Sequence, residues 1–211
     1  MPHIFSLNLI FLVFACFVAG LVDSIAGGGG LISIPAYLFV GFPPHLALGT
    51  NKFSATSGSL TSSIEFFRNG KINFKLLKFI IPCTLLGSIL GVWSVLRLNQ
   101  EFLYPLVSIM ILIVGVYTYF KKDLGLINTF SIKSRWQIVM GMGFGFLLGF
   151  YDGFFGPGTG SFLLFIFIKF FGMDFVNAAG NGKLLNFISN ITSLLVFAYA
   201  GKIDYFYGIL A

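Results

Sequence analysis

Long apolar runs fill residues 4–22, 30–42, 46–67, 75–96 and 101–120, and a more polar connector follows at 121–135. Further apolar runs lie at 136–150, 159–172, 175–200 and 203–211. None shows the strict period-two alternation of a transmembrane strand, so the pattern predicts helices. Residues 4–22, 76–96 and 102–120 are nearly uncharged and meet the roughly 20-residue requirement for crossing hydrocarbon. The runs at 30–42, 136–150 and 159–172 are shorter, which predicts half-helices or a re-entrant hairpin shielded from lipid by neighbouring helices. The predicted fold class is therefore all-α: a polytopic integral membrane protein with broken or re-entrant Gly-rich helices.

The breaks themselves recur. One reads Asp23-Ser24-Ile25-Ala26-Gly27-Gly28-Gly29-Gly30; the other reads Asp152-Gly153-Phe154-Phe155-Gly156-Pro157-Gly158-Thr159-Gly160. An irregular backbone in corresponding positions of two apolar halves points to a binding site. Two lysine spacings agree: Lys52 to Lys71 is 19 residues (71 − 52), and so is Lys183 to Lys202 (202 − 183). Asp23 to Lys52 is 29 residues and Asp152 to Lys183 is 31, so the halves are related but divergent.

Charge sets the orientation. Arg68, Lys71, Lys75 and Lys78 form one cluster, and Lys121, Lys122, Lys133 and Arg135 another; both are expected on the cytoplasmic side. The turns at 42–46 and 97–101 then lie outside, the 173–175 turn inside and Lys202 outside, which makes the halves inverted-topology repeats. The expected division is 1–120 for the first repeat, 121–135 for a cytoplasmic connector and 136–211 for an incomplete second repeat. Counterparts of 75–96 and 101–120 do not follow Lys202, so the expectation is a C-terminal truncation or a second polypeptide that completes the missing helices. Residues 1–22 lack a basic n-region and read as a retained first helix rather than a cleaved signal.

Composition narrows the function classes. Hydrophobic residues make up 57% of the chain and charged residues 9%, and 28 phenylalanines in 211 residues exceed what one small core would hold. The formal charge of +6 sits in short connections, not in a basic module, so no nucleic-acid partner is expected. Cys16 and Cys83 lie in apolar runs without ligand spacing, and His3 and His45 form no metal set. There is no Ser/His/Asp arrangement, and the glycine strings lack the Lys-[Ser/Thr] ending of a phosphate loop. No cofactor, metal or catalytic residue is expected.

The candidate chemistry is anion binding. Gly28, Gly29 and Gly30 precede one short helix, and Gly158, Thr159 and Gly160 precede its counterpart; N–H groups at such starts can hold an anion, although glycine also serves close helix packing. Lys52 and Lys183 lie near the starts of long helices, where they either attract an anion or snorkel to headgroups. Asp23 and Asp152 can cap the loop amides, pair with the lysines or carry a proton. Asn51, Thr56, Ser59 and Asn190 belong to polar stripes at 50–63 and 181–193, which either line a cavity or tie helices together. Glu65 is expected to pair with Arg68 or another nearby cation, and His45 to be structural or merely exposed.

These motifs, with Leu31, Pro35 and Thr50-Asn51-Lys52 after the first turn and Gly149-Phe150-Tyr151 before the second, resemble the sulfite exporter TauE/SafE family of membrane permeases. The resemblance covers residues 10–207 in family order and is nearest the bacterial branch whose substrate is generally unassigned. It implies a multi-pass transporter of the bacterial inner membrane in which the glycine turns and the segments carrying Asn51-Lys52 and Gly182-Lys183 face the pathway. Sulfite, thiosulfate or an organosulfonate is the implied substrate class, with proton or sodium coupling. The alternatives are an accessory or inactive truncated subunit, a homo-oligomer, and, less favoured, a membrane-embedded enzyme.

Overall fold

The computed structural model describes residues 2–120, 128–130 and 135–211. Among the described residues the chain forms nine helices: α1 (Pro2–Ala26), α2 (Gly30–Phe39), α3 (Pro44–Arg68), α4 (Phe74–Leu96), α5 (Gln100–Phe120), α6 (Arg135–Phe154), α7 (Thr159–Phe171), α8 (Phe175–Tyr199) and α9 (Tyr205–Leu210). The apolar runs thus became helices with small shifts at their ends. Two helices run four residues past their apolar runs: α1 reaches Ala26 instead of 22, and α6 continues through Asp152 and Gly153 to Phe154 instead of stopping at 150. Lys121, Lys122 and Lys133 of the expected basic connector lie outside the described residues. Among the described residues, two helices are long and apolar enough to cross a membrane by length and composition, with spans at Leu7–Ser24 and Phe74–Leu96.

The most extensive helix pair is α4 with α6, and small residues explain it. Gly141, Gly145, Gly149 and Gly153 recur every fourth residue and form one stripe along α6. A Cβ added at Gly149 would stand 2.4 Å from the Thr84 carbonyl oxygen, and one at Gly153 would stand 2.2 Å from that of Ser88. Gly87 and Gly91 return the contact, each with a hypothetical Cβ 2.2 Å from a carbonyl oxygen of α6, Phe146 and Phe150 respectively. Only glycine lets two backbones approach this closely, the packing device that serves best where lipid removes the hydrophobic drive for association. That contact also carries α6 past Asp152, because Gly153 is seated on α4.

α3 and α8 cross at the centre and carry most of the buried polar side chains, including Thr50, Asn51, Lys52, Asn181, Lys183 and Asn190. Apolar clusters flank them: Ile34, Val92, Val107, Phe155 and Phe197 in one, and Leu77, Ile80, Leu163, Phe167 and Leu185 in another. Large apolar side chains such as Phe14, Leu112 and Leu195 point outward, as a lipid-facing surface requires.

Helix starts follow ordinary capping. Asp174 accepts from the Asn177 N–H at 2.9 Å and caps α8; that bond holds its carboxyl below the usual carboxylate range. Asp174→Ala should destabilise the protein by about 0.5–2 kcal/mol. The lowered native pKa makes this contribution complete above the ordinary carboxylate value; it is lost as pH falls through the native one. Melting temperatures of the two proteins should therefore differ at neutral pH and converge in acid. A pH-independent gap would show that the carboxylate is not the capping group.

One sequence reading narrows and another needs correction. His45 is buried, and its Nε2 donates to the Val95 carbonyl at 2.9 Å, so the structural alternative holds and the exposed one does not. Glu65 accepts from Asn69 Nδ2 at 2.7 Å in place of the Arg68 pair, because Asn69 stands one helical turn further on.

Candidate functional site

The two breaks meet in space. α1 ends at Ala26 and α2 starts at Gly30; α6 ends at Phe154 and α7 starts at Thr159. A Cβ added at Gly27 would lie 2.5 Å from the Cα of Gly160, and one at Gly30 would lie 3.2 Å from the Cα of Pro157. The two turns therefore cross backbone on backbone. Ser161 Oγ fastens the crossing by donating to the Gly27 carbonyl at 2.5 Å.

The lysines arrive from the central helices. Lys52 stands eight residues after the start of α3 (52 − 44), and Lys183 eight after the start of α8 (183 − 175). Each reaches across to the aspartate of the other half. Lys52 Nζ lies 2.9 Å from Asp152 Oδ2, and Lys183 Nζ lies 2.8 Å from Asp23 Oδ2. Lys52 also donates to Asn190 Oδ1 at 3.0 Å, and Asp152 accepts from Ser189 Oγ. Lys183 adds a bond to the Asp23 backbone carbonyl. An unpaired charge at this depth is costly, so burial forces the pairing.

The pairs are not equally sealed. Side-chain exposure is 3% for Lys52 and 2% for Asp152, but 5% for Lys183 and 24% for Asp23. Asp23 has further support, because its Oδ1 accepts from the N–H groups of Gly28 at 3.0 Å and Gly29 at 3.3 Å. Those two amides, candidates for anion binding, are thus occupied by a carboxylate of the same chain.

Between the turns lies a cavity of about 30 Å³, lined by Asp23, Gly28, Gly30, Asn51, Lys52, Asp152, Gly158, Thr159, Gly160 and Asn190, together with Ala55, Gly156 and Asn186. Four of the expected residues are not on this lining. Gly29 is wedged with a hypothetical Cβ 2.5 Å from the Ala19 carbonyl oxygen. Thr56 Oγ1 donates back to the Lys52 carbonyl, and Ser59 Oγ to that of Ala55. Lys183 is engaged with Asp23. Ser33, which donates to Asn51 Oδ1 at 2.5 Å, and Ser161 are connecting residues that the sequence reading missed. Their signal is a hydroxyl in the first turn or two of an otherwise apolar short helix.

The whole arrangement sits inside a region that matches one family. Residues 12–211 match the sulfite exporter TauE/SafE family. The chain belongs to that family, which is one of transporters rather than enzymes. It is 40% identical over 191 residues to a "Probable membrane transporter protein" of Haemophilus influenzae, covering 89% of this chain and 72% of the relative. It is 37% identical over 196 residues to the "Probable membrane transporter protein YfcA" of Escherichia coli K12, covering 91% and 71%. A more distant relative, the "Probable membrane transporter protein YunE" of Bacillus subtilis, is 22% identical over 228 residues, with 96% and 83% covered. No solved structure matches. The TauE/SafE chain is thus a bacterial membrane transporter with an all-α fold.

Proposed function

We propose that this protein is a multi-pass secondary transporter of the bacterial inner membrane that moves a small anion, of the sulfite, thiosulfate or organosulfonate class, by alternating access between two inverted repeats. The observation that carries the reading is the pair of crossed lysine–aspartate bridges over a cavity at the meeting of the two glycine turns. The repeat relation is supported by contacts that recur at one offset. Asn73 N–H donates to Asn181 Oδ1 at 2.9 Å and Asp204 N–H donates to Thr50 Oγ1 at 3.0 Å; 204 − 73 and 181 − 50 are both 131.

The mechanism follows from the charges. A cavity of about 30 Å³ has room for one or two waters, so a polyatomic anion enters only as the turns part. Its oxygens take the lysine ammonium groups in place of the aspartates, with Asn51, Thr159 and Asn190 donating hydrogen bonds. An aspartate released from its lysine is unpaired in a dry site, and a proton or a sodium ion restores neutrality. Coupling is thus built into the same exchange.

Reconstituted protein loaded with labelled sulfite, thiosulfate or taurine, each tested under an imposed proton or sodium gradient, provides the test. Gradient-dependent flux that saturates with the anion, and that is abolished in Lys52→Ala liposomes, is the expected result. Flux of none of these anions under either gradient would overturn the assignment of substrate class.

A further inference from the structure

The two halves treat one groove differently. On one side α4 lies against α6 and α8: Gly149 and Gly153 of α6 are buried beneath it, and Thr192 and Ser193 of α8 are buried as well. On the other side the equivalent positions are open. Gly20 and Ser24 of α1 (149 − 129 and 153 − 129) are exposed; on α3, Thr61 (192 − 131) is exposed and Ser62 (193 − 131) half-buried. The aspartates record the same asymmetry, since Asp152 is sealed while Asp23 is partly open.

α9 enters this open groove in the way α4 enters the filled one. Besides the matched N–H bonds of Asn73 and Asp204, Gly180 packs on the Lys71 carbonyl and Gly49 on that of Lys202, again 131 residues apart in each partner. Ala211 lines a cavity of about 110 Å³ with Cys16, Gly20, Ser24 and Ser62. The groove widens to about 900 Å³ beyond Ser24 and Ser62, toward Glu65 and Arg68. Even the sizes are complementary. Ile80 of α4 sits over Gly145, whereas the equivalent Ala211 (80 + 131) stands beside Cys16 (145 − 129), with the large and small partners exchanged.

We infer that this groove on α1 and α3 is the seat of one apolar transmembrane helix in line with α9, packed there as α4 packs on α6 and α8. The inference rests on the inverted-repeat reading above. The occupant's chemistry is that of α4 from 79 to 96: uncharged, with Thr84, Gly87, Ser88 and Gly91 as its small-residue face. Seated, it would close the Asp23–Lys183 pair to the degree of its counterpart.

A fusion tests this directly. A copy of residues 81–96 is appended to Ala211, and Ser24→Gly is made in every chain compared, because Ser24 stands where α6 has Gly153, whose added Cβ would meet the Ser88 backbone. A single reporter, Ser62→Cys, is placed in a Cys16→Ala, Cys83→Ser background, with Cys83→Ser made in the copy as well, and Ser94→Cys, half-buried like Ser62, serves as the control in its place. Maleimide labelling at position 62 should slow at least tenfold in the monodisperse fusion, with no change at position 94. A fusion whose copy carries Gly87→Leu and Gly91→Leu should leave position 62 as reactive as in the 211-residue chain. The same helix supplied as a separate peptide keeps the test available if the fusion does not fold, and it should protect position 62 in a saturable manner. Unchanged labelling with a folded fusion, or with saturating peptide, would overturn the inference. Protection already present in the unfused chain, rising with its concentration, would assign the groove to a second copy instead. The readout needs no flux, so a protected fusion that carries no anion would sink the transport reading alone.

Discussion

Lys52→Met should cost the protein about 3–5 kcal/mol of stability, because it leaves Asp152 charged and buried without its partner. Asp152 retains the Ser189 hydroxyl, which is too little to replace a cation. Lys183→Met should cost less. Its partner Asp23 is 24% exposed and keeps the Gly28 and Gly29 amides, so water and backbone take over part of the stabilisation. Adding Asp152→Asn to Lys52→Met removes the orphaned charge and should return most of the lost stability, since a buried pair is often near neutral against an uncharged replacement. Transport should not return with it. Melting temperatures and anion flux measured on the three variants separate the two roles of Lys52. If the stabilised double variant carries anion at the wild-type rate, Lys52 is only a structural charge. The opposite pattern, restored stability with no flux, places the ammonium group on the anion's path.

Much of this was legible before any coordinates. The order of helices follows from apolar runs long enough for hydrocarbon, and the two breaks follow from glycine clusters that no continuous apolar run explains. Lysines and aspartates at similar spacings pointed to the candidate site, because such residues are rare inside apolar segments and need partners. Which aspartate each lysine takes was not legible. Asp23 and Lys183 are 160 residues apart, and the choice depends on how α3 and α8 cross. The glycine stripe on α6 was readable in principle from its four-residue spacing. Its last member, Gly153, lies beyond the apolar run at 136–150; the structure continues the helix because Lys52 of α3 neutralises Asp152 and α4 seats Gly153. The loop amides were readable as anion donors from local sequence alone, yet Asp23 takes two of them by folding back from the turn before.

Gly27→Ala should be strongly destabilising. Gly27 has φ +69°, and its new Cβ would stand 2.5 Å from the Gly160 Cα, 2.9 Å from the Gly160 carbonyl carbon and 3.2 Å from the Ser161 nitrogen. All three are backbone atoms, so no side-chain rotation relieves the clash. The left-handed angle alone costs about 1–2 kcal/mol for an L-residue, and forcing an extra carbon into a packed contact adds about 1–3 kcal/mol. Gly201→Ala supplies the control: Gly201 has φ +64°, nearly the same backbone strain, but nothing lies within 4 Å of its added Cβ. The difference in melting temperature between the two variants therefore isolates the crossing of the two turns. Equal, small losses would mean that the turns can separate at little cost, and the cavity that Lys52 and Asp152 line would then not depend on their contact. A large loss confined to Gly27→Ala, with flux abolished, would make the crossing the element that holds both halves of the site in register.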